Sequence, residues 1–187
     1  MNILVLAAGY GNRMDDLTKN IPKPMLKINQ KMLIDYAIEI AQKISHQRIF
    51  VNTHYQNQIL ESYIKENYID IFISHEPNIL GTGGAIKKIQ NDDLLVLNTD
   101  NLWQETFVNE IKESINFFNE NENVENLLLV NSNSEIFDLD MKNKNIINFP
   151  SINHNTRFQG CHLIRNKSLN HYPDIFNIQD YWINCSI

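Results

Sequence analysis

Hydrophobic and polar positions keep two alternating rhythms along the first two-thirds of the chain. Short apolar runs at 3–6, 71–73, 94–97 and 127–130, and a β-branched run at 48–53, have the length and branching of strands. Between them apolar residues recur every three or four positions. Met32, Leu33, Tyr36, Ala37, Ile40, Ala41 and Ile44 trace one amphipathic helix, and Ile59, Leu60, Tyr63 and Ile64 trace a second over 58–66. Further helices are predicted over 83–90 and 106–118. Strand–helix–strand units at this spacing predict an α/β fold, a mostly parallel sheet with helices on both faces. Ligands of such sheets sit beyond the carboxyl ends of the strands, so the loops after Leu6, Ile73 and Leu97 are expected along one edge.

The last third has a different texture. Segments 136–139 and 146–149, separated by a polar turn, read as a small β-hairpin at the edge of the sheet. Strands are expected over 158–164 and 181–185. No linker or repeat divides the chain, so residues 1–187 are read as one domain.

Chemistry concentrates in the loop after the first strand, Leu6-Ala7-Ala8-Gly9-Tyr10-Gly11-Asn12-Arg13-Met14, and in Pro22-Lys23-Pro24-Met25. Small residues let a ligand approach the main chain, and the glycines permit positive φ. Arg13 suits bidentate contact with phosphate oxygens, and Lys23 acts as a point charge aimed by its flanking prolines. The loop is neither a P-loop, lacking the Gly-Lys-Ser/Thr ending, nor a dinucleotide fingerprint, since Arg13 and Met14 stand where the last glycine belongs. Asp100 follows the apolar run 94–97 and suits either a turn or a Mg²⁺ ligand. Leu80-Gly81-Thr82-Gly83-Gly84-Ala85 reads as a loop opening a helix, with Thr82 a candidate cap.

These motifs resemble the sugar-1-phosphate nucleotidyltransferase family. The likeness extends, in order, through Val51-Asn52-Thr53-His54-Tyr55, Leu80 to Ala85, and Leu97-Asn98-Thr99-Asp100-Asn101-Leu102-Trp103. Within the family it is most similar to the N-acetylmuramate-1-phosphate uridylyltransferase branch. The resemblance implies a Rossmann-like nucleotide-diphospho-sugar transferase fold whose residues from about 132 to 187 form a shortened acceptor-binding part. It implies transfer of a nucleoside monophosphate from a triphosphate, UTP favoured, to a sugar-1-phosphate with release of pyrophosphate. Arg13, Lys23 and Asp100 are then catalytic; Leu6, Ala7, Ala8, Gly9, Gly11, Asn12, Arg13, Lys23, Glu76, Gly81 and Thr82 bind nucleotide; Asn98 and Gly160 bind the sugar phosphate. Mg²⁺ is the implied cofactor, on Asp100 and on Asn184 within Trp182-Ile183-Asn184. Glu76, an acceptor-only carboxylate, suits a donor on the base. Gly160 also fits a β-bulge, Trp103 reads as packing, and His54 and His75 read as structural.

Composition narrows the partners. The 187 residues are 43% hydrophobic and 20% charged, with net charge −6, which argues against a non-specific nucleic-acid binder. Phosphate binding must therefore be local. No apolar run reaches the length of a membrane span, and the start of the chain carries no basic signal-like segment. Cys161 and Cys185 show no metal or redox spacing, so reduced thiols and a cytoplasmic monomer or homodimer are expected. Two other readings use the same loop: a cytidylyltransferase acting on phosphocholine or a similar small acceptor, and a truncated homologue that binds nucleotide without catalysis. No dense aromatic cage for a quaternary amine is evident.

Overall fold

Asn2–Leu6 is buried on both sides because it lies between two helical layers, and the rest of the architecture follows from that strand. The computed structural model describes residues 1–132, 140–142, 145–148 and 156–184. In chain order the elements are β1 (Asn2–Leu6), β2 (Lys27–Ile28), β3 (Lys31–Met32), α1 (Leu33–Gln42), β4 (Ile49–Thr53), α2 (Asn57–Asn67), β5 (Ile71–His75), α3 (Gly81–Ile89), β6 (Leu94–Asn98), α4 (Thr106–Glu120), β7 (Asn126–Asn131), β8 (Asp140–Lys142), β9 (Asn145–Asn148), β10 (Arg157–Ile164) and α5 (Ile178–Asn184). Two short 3₁₀ turns, Asn12–Thr18 and Lys23–Met25, lie in the loop after β1.

The main sheet has six strands in the order β5-β4-β1-β6-β10-β7. β5, β4, β1 and β6 run parallel, and β10 is antiparallel to both of its neighbours. Alternate residues of one strand feed opposite cores. Ile3 and Val5 of β1, with Leu95 and Leu97 of β6, meet α1, α2 and α4 through Ile34, Ile38, Leu60, Ile64 and Ile111. Leu4, Leu94 and Val96 point the other way, against Ile86 and Ile89 of α3 and Ile178, Tyr181 and Trp182 of α5. Each such side chain taken fully out of water contributes roughly 2 kcal/mol of transfer free energy. Asp35 joins two helices: its carboxylate accepts from Met32 N (3.1 Å), the Tyr63 hydroxyl (2.9 Å) and the Tyr68 hydroxyl (2.7 Å).

Two expectations need correction. Residues 181–184 are helical, as part of α5, and not a strand. Tyr181-Trp182-Ile183 looks like an apolar run, yet only Ile178, Tyr181 and Trp182 are buried, the i, i+3, i+4 spacing of a helix face. Strand β10, between β6 and β7, already closes that side of the sheet. The hairpin exists, but among the described residues β8 and β9 pair with each other as a separate two-stranded sheet and add no strand to the main one. Its first arm begins at Asp140; the expected arm at 136–139, and Phe149, lie outside the described residues.

Candidate active site

Chain direction along the sheet reverses between β1 and β6, since β1 leads outward to β4 and β5 and the chain then returns to β6. Connections on either side diverge there and leave a crevice beyond the carboxyl ends. A cavity of about 720 Å³ occupies it, lined by Leu6 to Met14, Lys23, Pro24, Asn52, Glu76, Ile79, Gly81, Thr82, Asn98, Thr99, Asp100 and Asn177. That volume is ample for a nucleotide-sized ligand.

The phosphate-binding candidates cluster on one side. Gly11 adopts φ +70°, and a Cβ there would press on Thr18 and Lys23 at 3.0 and 3.2 Å, so glycine is favoured at this turn. Thr18 Oγ1 donates to Gly11 O (3.1 Å), and the Tyr55 hydroxyl donates to Thr18 O (3.1 Å), holding the loop that carries Arg13. Lys23 Nζ lies 3.0 Å from Asp100 Oδ2, with both side chains part-exposed to the cavity. Thr99 Oγ1 donates to Leu6 O (2.8 Å) and ties the ends of β1 and β6 together behind that pair. Asp100 presents a hard oxygen donor beside a cation, which fits a Mg²⁺ site completed by phosphate and water. Among the described residues no group of three or more His, Cys, Asp or Glu gathers at one point.

The opposite side is a buried polar relay. Ala7 N donates to Asn52 Oδ1 (2.6 Å), Asn52 Nδ2 donates to Glu76 Oε1 (2.8 Å), and Leu80 N donates to Glu76 Oε2 (3.0 Å). Glu76 is 1% exposed and Asn52 4%. Glu76 N donates to Thr53 O, and its carbonyl accepts from His54 Nδ1 (2.7 Å). His54 Nε2 therefore accepts from the Tyr10 hydroxyl (3.1 Å), which gives His54 a structural role in the loop.

The glycines of Gly81-Thr82-Gly83-Gly84 answer to the segment before α5. Gly83 N and Gly84 N donate to Phe176 O (3.0 and 3.3 Å), Phe176 N donates to Leu80 O, and Ile178 N donates to Thr82 Oγ1 (3.1 Å). A Cβ on Gly81, Gly83 or Gly84 would lie 2.5 Å from Phe176 O, 2.3 Å from the Phe176 ring, or 2.2 Å from Asp174 O. Thr82 thus serves the incoming strap and not its own helix, while its backbone and that of Gly81 still border the cavity.

The structure brings together Leu6, Ala7, Ala8, Gly9, Gly11, Asn12, Arg13, Lys23, Glu76, Gly81, Thr82, Asn98 and Asp100. Gly160 and Asn184 are not among the lining residues. Gly160 sits at φ +70° where β10 slips register against β7 between Phe158 and His162, and a Cβ would meet Asn101 Nδ2 at 2.5 Å. Its bulge and the close approach of Asn101 account for the glycine. Asn184 lies exposed in the last turn of α5, its Nδ2 donating to Asp180 O (2.6 Å). Trp103 is packed, with Nε1 donating to Asn98 O and its ring edge-on to Phe107. Cys161 is buried, and burial pushes its thiol up to about 12, which leaves it inert. Cys185 lies outside the described residues.

Sequence reasoning assigned no role to Asn52, Thr99 or Asn177. Asn52 had a usable signal: a polar residue near the carboxyl end of an otherwise apolar strand. Asn177 had none, because its place in the cavity depends on the strap crossing α3.

Comparison with known proteins agrees with this geometry. A family model described as nucleotidyl transferase matches residues 2–135. The chain is 33% identical over 105 residues to a D-glycero-alpha-D-manno-heptose 1-phosphate guanylyltransferase of Campylobacter jejuni, covering 54% of this chain and 48% of that one. It is 34% identical over 102 residues to a UTP–glucose-1-phosphate uridylyltransferase of Synechocystis, covering 48% and 26%. The chain spans about half the length of the first of these relatives and less of the second. HddC from Yersinia pseudotuberculosis shares the fold, with a TM-score of 0.74 at 22% identity over 100% of this chain and 86% of that one. With the family model spanning β1 through β7 and the cavity at the reversal of the sheet, the chain belongs to the nucleotidyl transferase family.

Proposed function

We propose that this chain transfers a nucleoside monophosphate from a nucleoside triphosphate to a sugar-1-phosphate. The observation that carries the proposal is one cavity holding a bare-backbone glycine loop, Arg13, Lys23 and the Asp100 carboxylate together. An oxygen of the sugar phosphate attacks the α-phosphorus in line. The new P–O bond forms as the bond to the β-phosphate oxygen breaks, and pyrophosphate leaves with that electron pair. The attacking oxygen is already anionic, so positioning and charge neutralisation dominate and no histidine base is needed. Arg13 binds the departing phosphates bidentately, and Lys23 steadies the α-phosphate and the incoming phosphate. Asp100 fits as the protein ligand of Mg²⁺, which supplies charge neutralisation at the phosphates when bound.

UTP with N-acetylmuramate-1-phosphate is the substrate pair favoured by the sequence motifs. GTP with a heptose 1-phosphate is the second pair, favoured by the name of the Campylobacter relative. Pyrophosphate release, measured with Mg²⁺ for each triphosphate against a panel of sugar-1-phosphates, tests both. Release with one pair establishes the reaction and its substrates. Absence of release in every combination, with clear triphosphate binding, would replace transfer with nucleotide binding as the function.

A further inference from the structure

We infer that Asn52 and Glu76 form a buried positioning dyad that sets the spacing between the two walls of the nucleotide cavity, and that Glu76 does not itself select the base. The inference rests on reading this cavity as a nucleotide site. One wall is the backbone after β1, beginning at Ala7; the other is the backbone entering α3, beginning at Leu80. They are far apart in sequence and are joined by one relay, Ala7 N to Asn52 to Glu76 to Leu80 N, with bonds of 2.6, 2.8 and 3.0 Å.

Donor and acceptor accounting fixes every member. Ala7 N and Leu80 N only donate, so the residues between them must accept at both ends and pair with each other in the middle. The Asn52 amide has a single usable orientation: oxygen toward Ala7, nitrogen toward Glu76. One Glu76 oxygen then accepts from the Asn52 amide and the other from the wall at Leu80 N. The residue is also anchored at its main chain, through Thr53 O and His54 Nδ1, so its side chain is held from both ends. A carboxylate that is 1% exposed and so engaged is a spacer between loops. Burial without these bonds would be strongly unfavourable, so the relay is made as a unit or lost as one.

The accounting yields a reciprocal exchange. Asn52→Asp alone sets two carboxylates against each other. Glu76→Gln alone cannot accept at both ends, and an amide N–H faces a donor. Combined, the two changes rebuild the relay with its polarity inverted at the centre: the carboxylate at 52 accepts from Ala7 N and from the amide at 76, whose oxygen accepts from Leu80 N. The double variant keeps the walls in place but presents a different group at position 76.

The test measures binding of UTP, CTP and GTP to the full chain, kcat and KM for the preferred pair, and thermal unfolding. Each single variant is expected to lose roughly tenfold or more in affinity for the preferred triphosphate, the scale of one buried group left unpaired. The loss should fall on KM more than on kcat, because the walls hold ground state and transition state alike. The double variant should melt above either single one and recover most of the affinity, with the wild-type order of base preference. Where a single variant fails to fold, the base order of the double variant against wild type decides. Singles that bind like wild type overturn the inference, as does a double variant that refolds without regaining affinity. A double variant that regains stability but changes base order assigns base selection to Glu76 directly. Wild-type protein that binds no triphosphate overturns the reading of the cavity itself, before any variant is compared.

Discussion

Lys23 Nζ and Asp100 Oδ2 lie 3.0 Å apart on the wall of the cavity, 77 residues apart in the chain. Each is the other's counter-ion, and each is the group best suited to a different part of a metal–triphosphate complex. Under the proposed function, binding such a complex would exchange partners: phosphate would replace Asp100 beside Lys23, and Asp100 would be freed to hold the cation. Lys23→Gln should therefore bind a divalent cation more tightly than wild type when nucleotide is absent, by roughly twofold to fivefold, the scale of a part-exposed ion pair. Titration of nucleotide-free protein with Mn²⁺ as the probe measures this. Equal or weaker binding in the variant would show that Asp100 is not the cation's ligand.

In the proposed reaction Arg13 would neutralise charge on the departing pyrophosphate, and Lys23 charge at the α-phosphate and the incoming phosphate. Replacing either with alanine should lower turnover by roughly 10²–10³, as for removal of one preorganised donor, with little change in melting temperature. Side-by-side turnover and thermal unfolding separate this from loss of fold. Near-wild-type turnover in either variant removes it from the mechanism.

His162 is buried on β10 against Phe158 and Trp182, and neither ring nitrogen has a hydrogen-bond partner among the described residues. Burial pushes its pKa down from 6.5 to about 3. Between those two values the unfolded chain binds a proton that the folded chain does not. Stability from the neutral ring is therefore full above about pH 6.5 and is lost progressively as pH falls toward 3. The melting temperature of wild type should fall faster than that of His162→Leu between pH 7 and pH 4. Parallel slopes would mean that the imidazole is solvated in the native protein.

Gly84 faces Asp174 O so closely that a methyl group would stand 2.2 Å away. Gly84→Ala should cost about 1–3 kcal/mol through displacement of the strap, measured by denaturant unfolding. It should also weaken triphosphate binding, because Asn177 on the same strap lines the cavity. A variant as stable as wild type would show that the strap moves freely.

Much of this protein was legible along the chain because period and branching are local properties. The runs that became β1, β4 and β6 are buried on both faces or nearly so, and such strands announce themselves as largely apolar segments, while the edge strands β5 and β7 are only part-buried. The parallel sheet and the placement of motif loops at its carboxyl edge follow from alternation alone. The glycine loop with Arg13 and Lys23 was equally visible, since positive φ combined with close approach, as at Gly11, favours glycine.

Other features were decided only by tertiary contact. Residues 181–184 became helix because the sheet was already closed on that side and the α3 layer offered a surface for Ile178, Tyr181 and Trp182. The glycines of 81–84 look like a ligand loop in sequence, and packing gives them to Phe176 and Asp174. Asn52, Glu76 and Leu80 are spread over three segments, and no local pattern pairs a particular amide with a particular carboxylate. By itself the sequence determined most of the strand and helix segments and singled out the glycine loop with Arg13 and Lys23 as the phosphate candidate, because those depend on the residues' own size, branching and charge. The tertiary structure alone decided the Lys23–Asp100 pair and the buried relay, because a hydrogen bond between distant residues exists only after the sheet has brought their backbones together.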